Sequence, residues 1–221
     1  MPESKERTIT QIVVQKKRKN RCSIFLDGEF GFGLHQDVVF KFGLKKGDVL
    51  DDGQIKKIIF AEEKKKAFDR AIKILSHRDR SEHEMRNRLL DAGYEEMIVE
   101  LVVTDLLRLG LIDDEKFSRL FARTKMMTKP MGSFLLKREL KQKGIAEEIV
   151  EKTIDEIYRE NNEYEVAQKI AKKKKRQLTK IEEAKAKKKV SDLLARRGFS
   201  WDIISHVLEH WQELDEEIAE T

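Results

Sequence analysis

Arg86-Asn87-Arg88-Leu89-Leu90-Asp91-Ala92-Gly93-Tyr94 carries a pattern that the chain repeats twice more. The pattern is an apolar residue, Leu four places on, Gly four places after that, an apolar residue next, and Ile five places after the Gly. The three copies are Met85, Leu89, Gly93, Tyr94, Ile98; Leu136, Leu140, Gly144, Ile145, Ile149; and Val190, Leu194, Gly198, Phe199, Ile203. Their glycines are spaced by 51 and 54 residues. Residues four apart share one helical face, and a Gly four places further on can take the left-handed conformation that ends a helix. Each copy therefore predicts a helix, a glycine turn from which the next apolar residue tucks back, and a second helix begun around the Ile. Self-similarity at a fixed period marks a repeat architecture in which no unit buries its apolar face alone. The period exceeds that of two-helix repeats, about 34 residues, and leaves room for three helices per unit.

The expected fold is thus mainly α: an elongated array of three tandem three-helix repeats preceded by a small β-rich N-terminal domain. The expected boundaries are 1–62 for the β-rich domain and 63–111, 112–161 and 162–221 for the repeats. In the first part, Thr8 to Gln15 alternates with β-branched residues, Lys16 to Asn20 reads as a basic turn, and Arg21 to Leu26 as a second strand. Asp27-Gly28 signals a hairpin into Glu29 to Leu34, with a short helical piece at Gln36 to Phe42 and a turn from Gly43 to Asp48.

From Glu62 onward the chain reads as nearly all helix. Ala67, Ala71, Ile74 and Leu75 form the apolar face of the first helix, and Ser81-Glu82-His83-Glu84 is a capping box that starts the second. Val99, Val102, Val103, Leu106, Leu107 and Leu109 line the third, which stops at Gly110. In the second unit Asp113 caps, Phe117, Leu120 and Phe121 give the core face, and Pro130 and Gly132 break the chain before Phe134 to Lys143. In the third, Tyr164, Val166, Ala167 and Ile170 begin a helix, Ser200 caps the last one, and an acidic tail runs from Glu213 to Glu220.

The 221 residues are long enough to bury a core, and 39% of them are charged. Because the apolar residues recur periodically, this composition predicts charged helical surface rather than disorder. The net charge of +5 is a modest excess, so its distribution decides its use. One cysteine, Cys22, leaves no internal disulfide or multi-cysteine metal site and suits a reducing cytoplasm. No apolar run approaches the length of a membrane span, so a soluble cytoplasmic protein without a membrane partner is expected.

Neither a phosphate-binding Walker loop, a dinucleotide glycine fingerprint nor a nucleophile elbow occurs. His206-Val207-Leu208-Glu209-His210 fits the H-x-x-E-H spelling of one zinc protease class. Such a site needs a third protein ligand, and these His alternate with Val207 and Trp211 on a charged terminal helix. That context reads as solvated surface, and no catalytic residue, metal or cofactor is expected.

Basic residues follow the repeats instead. Arg86 and Arg88 flank the first signature; Lys137, Arg138, Lys141 and Lys143 sit in the second; Lys187, Lys188, Lys189, Arg196 and Arg197 sit in the third. Equivalent helices in stacked units would present them as a stripe suited to a phosphate backbone. Further basic contacts are Lys172, Lys173, Lys174, Lys175 and Arg176 in the third unit and Lys17, Arg18 and Lys19 at the first hairpin tip. With no aromatic residue among the basic runs, binding should be weakly sequence-specific, and about six contacts to a single strand give a log–log salt slope near -4.

Three stretches resemble the RecX family, bacterial regulators of the RecA recombinase: Ser81-Glu82 through Leu89, Leu90 and Gly93-Tyr94; Leu109-Gly110-Leu111-Ile112-Asp113-Asp114-Glu115-Lys116-Phe117; and Arg138-Glu139-Leu140-Lys141-Gln142-Lys143-Gly144-Ile145. The resemblance spans about residues 64–211, and the N-terminal extension is similar to that of longer family members. Ala146 departs from the family pattern where a Ser or Asp cap is expected. The resemblance implies a non-enzymatic protein that binds in the groove of the RecA–DNA filament, blocks its extension or promotes its disassembly, and so damps strand exchange, recombination and coprotease activity in the SOS response. The implied partners are the RecA filament, single-stranded DNA and, second to it, double-stranded DNA, with a monomer as the expected state. The alternative is a general nucleic-acid-binding protein without a recombinase partner.

Overall fold

The computed structural model describes residues 6–215, so the end of the acidic tail lies outside the described residues. By compactness the described residues form two units, one of residues 6–78 and 85–111, the other of residues 79–84 and 112–215.

The first unit opens with β1 (Arg7–Gln15), β2 (Arg18–Leu26) and β3 (Glu29–His35), followed by α1 (Gln36–Lys41) and β4 (Val49–Leu50). The strands form an antiparallel sheet in the order β3-β2-β1-β4. Asp27 and Gly28 both have positive φ, 52° and 90°, the geometry of a two-residue turn whose twist matches its strands. The expected five-residue basic turn is corrected: the turn is Lys16 and Lys17, Arg18 already pairs with Gln15, and Lys19 and Asn20 lie within β2. One sheet face buries Ile9, Ile24 and Leu34 with Val38 and Ile58.

Ile58 belongs to α2 (Asp52–Leu75), which begins ten residues before the expected start at Glu62. The reason is local. Asp51 accepts from the Gln54 amide at 2.7 Å while the Gln54 side chain accepts from the Asp51 amide at 2.9 Å, a reciprocal cap that starts the helix there. The early turns of α2 cover the sheet, where buried Glu62 accepts from the His35 amide at 2.6 Å and pairs with Arg21 at 2.7 Å. Its later turns bury Ala67 and Ala71 and pack on α4 (Glu96–Arg108). α4 buries Val99, Val102, Val103 and Leu106 at one pole, but Leu107 and Leu109, also expected inside, are exposed. Leu107 lies at the edge of the buried stripe, and Leu109 is the C-cap, one residue past the end of the helix.

With α3 (Glu82–Leu90), α2 and α4 make the first helical triplet. The second is α5 (Asp114–Thr128), α6 (Ser133–Gln142) and α7 (Glu147–Glu160); the third is α8 (Glu163–Lys175), α9 (Glu183–Arg196) and α10 (Trp201–Glu209), followed by a short 3-10 turn, Gln212–Asp215. The signature pairs Met85 and Leu89, Leu136 and Leu140, and Val190 and Leu194 are all fully buried. Each signature glycine has positive φ, and each closes the same pair of bonds: in the first copy Gly93 N–H donates to Leu90 C=O at 2.9 Å and Tyr94 N–H to Leu89 C=O at 3.3 Å. Gly144 with Ile145 and Gly198 with Phe199 repeat this arrangement on Lys141 and Leu140 and on Ala195 and Leu194, satisfying carbonyls that the helix end leaves open.

Local signals elsewhere act as read. Asp113 accepts from the Lys116 amide at 2.9 Å, Ser200 from Ile203 at 3.3 Å and Ser81 from Glu84 at 3.2 Å, whereas Ala146 opens α7 without a side-chain cap. Leu120, expected in the core of α5, is exposed, and Phe117 and Ala122 hold the buried positions with Phe121 packed against them.

Within the second unit the same docking occurs twice. Ser81, four residues before Met85, donates its hydroxyl to the Lys143 carbonyl just before Gly144, at 2.6 Å. Gly132, four residues before Leu136, donates its amide to the Arg197 carbonyl just before Gly198, at 2.9 Å. A side chain at Gly144 would strike His83, and one at Gly132 would strike the Gly198 backbone.

Candidate nucleic-acid interface

The signature helices α3, α6 and α9 turn their apolar pair inward, which leaves their basic residues on the remaining faces. The structure divides these residues into two groups. In the first, the charge is already answered from within the chain. Lys137 reaches both carboxylate oxygens of Glu151 at 2.6 Å, Lys141 reaches Glu147 at 2.7 Å, Lys143 reaches Glu84 at 2.6 Å and Lys187 reaches Glu183 at 2.8 Å. Arg86 pairs with Glu100. Hydrogen bonds from Lys141 and Lys187 hold the carboxyls of Glu147 and Glu183 below their ordinary pKa. Arg197 is structural in part, donating to the Pro130 carbonyl at 2.8 Å.

In the second group the charge faces water. Arg88, Arg138, Lys188 and Lys189 are exposed and have no acidic partner among the described residues, and exposed Arg196 donates to the Asp192 carbonyl at 3.1 Å, which leaves its charge uncompensated. Each signature helix thus keeps at least one cation available to a phosphate.

The supplementary residues divide likewise. Lys175 donates to the Trp211 carbonyl at 2.7 Å and lies over the Trp211 ring at 4.7 Å, so it fastens α8 to the C-terminal turn. Lys172 and Lys174 are half-buried, with Lys174 3.4 Å from the Gln177 amide oxygen, while Lys173 and Arg176 are exposed. Lys17, Arg18 and Lys19 are exposed around the β1–β2 turn.

Two basic residues that sequence reading passes over join this set. Lys129 at the end of α5 and Lys169 on α8 line a cleft of about 590 Å³ with Lys173, Lys174 and Arg197. Both stand outside any basic run, and a run was the signal used.

His206, Glu209 and His210 do come together, with candidate ligand atoms all within 4.8 Å of one another. His210 Nδ1 lies 2.8 Å from the His206 carbonyl, a local contact at the end of α10. Both His206 and Glu209 are exposed, which matches the solvated surface expected of them.

Comparison with known proteins places the whole arrangement. Residues 7–51 match the regulatory protein RecX N-terminal domain, and residues 67–106, 113–154 and 161–208 match the first, second and third RecX three-helix domains. The regulatory protein RecX of Bacillus velezensis is 34% identical over 215 residues, covering 96% of this chain and 80% of its own length. The chain belongs to the RecX family. Its RecX relative in Bacillus cytotoxicus is 34% identical over 209 residues, covering 93% of this chain and 77% of that protein. A crystal structure of regulatory protein RecX superposes with a TM-score of 0.77 at 31% identity, covering 92% of this chain and 99% of the other. The three triplets α2–α4, α5–α7 and α8–α10 are therefore the tandem RecX helical domains, and the sheet belongs to the RecX N-terminal domain. Family membership makes the chain a regulatory protein, and no described helix is long and apolar enough to cross a membrane.

Proposed function

We propose that this protein is a non-catalytic regulator of the RecA recombinase in the bacterial cytoplasm, acting as a monomer on the RecA–DNA filament. By binding the nucleoprotein filament it limits filament extension, strand exchange and coprotease activity. The observation that supports this reading most is the match to all four RecX domains, in order, along one chain. The water-facing cations Arg88, Arg138, Lys188 and Lys189, one or two per signature helix, supply the contacts to DNA. Such contacts are individually weak, and several tethered in one chain combine through effective concentration. Lysines act on phosphate as point charges, so the DNA contribution is salt-dependent and little concerned with sequence.

The experiment is to titrate the purified protein into cognate RecA assembled on single-stranded DNA and follow ATP hydrolysis and strand exchange. Both should fall as the protein approaches stoichiometry with RecA. Unchanged rates at equimolar protein would overturn the proposal. The exposed cations alone would also serve a general nucleic-acid-binding protein, a second reading that predicts equal affinity for naked DNA and for the filament.

A further inference from the structure

The cleft at Lys129 lies wholly within the second unit, where the end of α5 and the residues after it face α8 and α9. Its basic lining is Lys129, Lys169, Lys173, Lys174 and Arg197; its neutral polar lining is Thr128, Asn161 and Gln177; and Met126, Pro130, Val166, Ile170 and Leu193 form an apolar floor. Among the described residues no Asp or Glu lines it. In a chain with 41 acidic residues, whose other helical lysines so often meet a carboxylate, five cations around one cleft with no acid among its described lining stand apart.

Lys129, Lys169 and Lys173 are exposed and have no acidic partner among the described residues. Lys169 and Lys173 are one helical turn apart on α8, where like charges repel, so this cleft disfavours its own empty state and favours an anion. Arg197 is anchored to Pro130 and holds its charge in a fixed place on the wall.

Three of the cations come from α8 and one each from the ends of α5 and α9, and five cations about one cleft suit a chain of phosphates better than a lone anion. The apolar floor gives the sugar and base faces a surface to leave water for. A cleft of about 590 Å³ is of small-molecule size and admits about one or two nucleotides of an extended strand, not a paired duplex.

We propose that the cleft lined by Lys129, Lys169, Lys173, Lys174 and Arg197 is a binding site for the backbone of single-stranded DNA. This rests on the DNA-binding part of the proposed function and deepens it, because four of the five cations lie outside the signature helices α3, α6 and α9 and only Arg197, at the end of α9, belongs to the signature set. Binding there is non-specific in sequence, since the floor offers aliphatic contact and no base-edge code.

The test uses the full-length protein and a fluorescent oligo-dT strand, with affinity read by anisotropy across a salt series. Lys129→Glu, Lys169→Glu and Lys173→Glu combined should lower affinity by at least about tenfold near 0.1 M salt and flatten the log–log slope by about 2, three contacts at about 0.7 each. The milder triple change to Gln should flatten the slope similarly, and circular dichroism should match the parent for both. A control of equal charge change, Lys56→Glu, Lys57→Glu and Lys73→Glu on α2, should leave the slope in place. If the cleft variants keep the parental affinity and slope, if the control lowers them equally, if the parent protein binds no strand, or if inorganic pyrophosphate alone displaces the strand at micromolar concentration, the assignment is wrong. Its failure is distinct from that of the regulator reading. Cleft variants that lose naked-strand binding, beside a parent that leaves RecA unaffected, would keep the cleft and remove the regulator. Unaltered strand binding beside a parent that inhibits RecA would do the reverse.

Discussion

Arg138 and Lys137 are neighbours on α6, yet their charges have different uses. Lys137 is fixed between the two oxygens of Glu151, whereas Arg138 is exposed with no acidic partner among the described residues. Reversing Arg138 to Glu, together with Arg88 and Lys188, should weaken filament binding and flatten its salt dependence while changing stability by no more than about 0.5 kcal/mol per substitution, as for surface changes in general. Reversing Lys137 instead should lose an exposed ion pair worth at most about 1 kcal/mol and set two carboxylates against each other, with a smaller effect on binding. Thermal melts beside salt-series binding curves separate the two; equal binding losses from both would show that the internal pairs open on the ligand. This division was not legible in the sequence. A basic residue announces its charge locally, but its partner can be far along the chain: Lys143 meets Glu84 across 59 residues and Arg197 meets Pro130 across 67. Lys129 and Lys169 were missed for the converse reason, being isolated in sequence and neighbours in the fold.

The recurring helix, glycine turn and helix were legible, because every part of that element acts within ten or so residues: two inward positions four apart, a left-handed glycine, and an apolar residue folding back. The start of α2 was equally local, in Asp51 and Gln54, but was overshadowed by the charged run that follows from Glu62. What local pattern does not contain is the double use of a glycine. Gly93 has open space where a side chain would go, so Gly93→Ala should cost about 1–2 kcal/mol, the strain of a left-handed non-glycine residue. Gly198 shares that conformation and is also pressed against Leu135, and Gly132 is pressed against the Gly198 backbone. Gly198→Ala should therefore lower the melting temperature more than Gly93→Ala, whose own shift is about 2–8 °C at about 2–4 °C per kcal/mol for a chain of this size. Gly132→Ala should act through the same contact without backbone strain, and a melting temperature unchanged by it would contradict the docking of Gly132 on Arg197 and Gly198. Scanning calorimetry reads all three.

The helices also predict a pH response. Asp37 is held below its ordinary pKa by a hydrogen bond from Lys65, Asp105 by Lys64, Glu115 by Lys152, Glu147 by Lys141 and Glu183 by Lys187. A depressed carboxyl contributes stability that is present above its unfolded pKa, about 4, and is lost as pH falls through the folded value. Asp114 is opposed: burial raises its pKa, so protonation on acidification favours the fold. With five groups against one, melting temperature should fall steadily as pH is taken from 5 to about 3, and Asp114→Asn should raise stability at neutral pH if the amide keeps accepting from the Glu82 amide, now made at 2.8 Å. A flat profile across that range would show that the five pairs contribute nothing in solution.

At the scale of the molecule, one chain joins a small sheet to three RecX helical domains and distributes unpaired cations among them, with no acid among the described residues that line the cleft of the second unit. Such a molecule gains affinity where many modest contacts are engaged together, which a filament of protein and DNA provides and a free strand or a free subunit does not. The most direct test is a binding titration of the intact protein against the RecA filament on single-stranded DNA, the naked strand and free RecA at one salt concentration. The account predicts tightest binding to the filament, by at least about tenfold over either component alone. Equal affinity for naked strand and filament would contradict it.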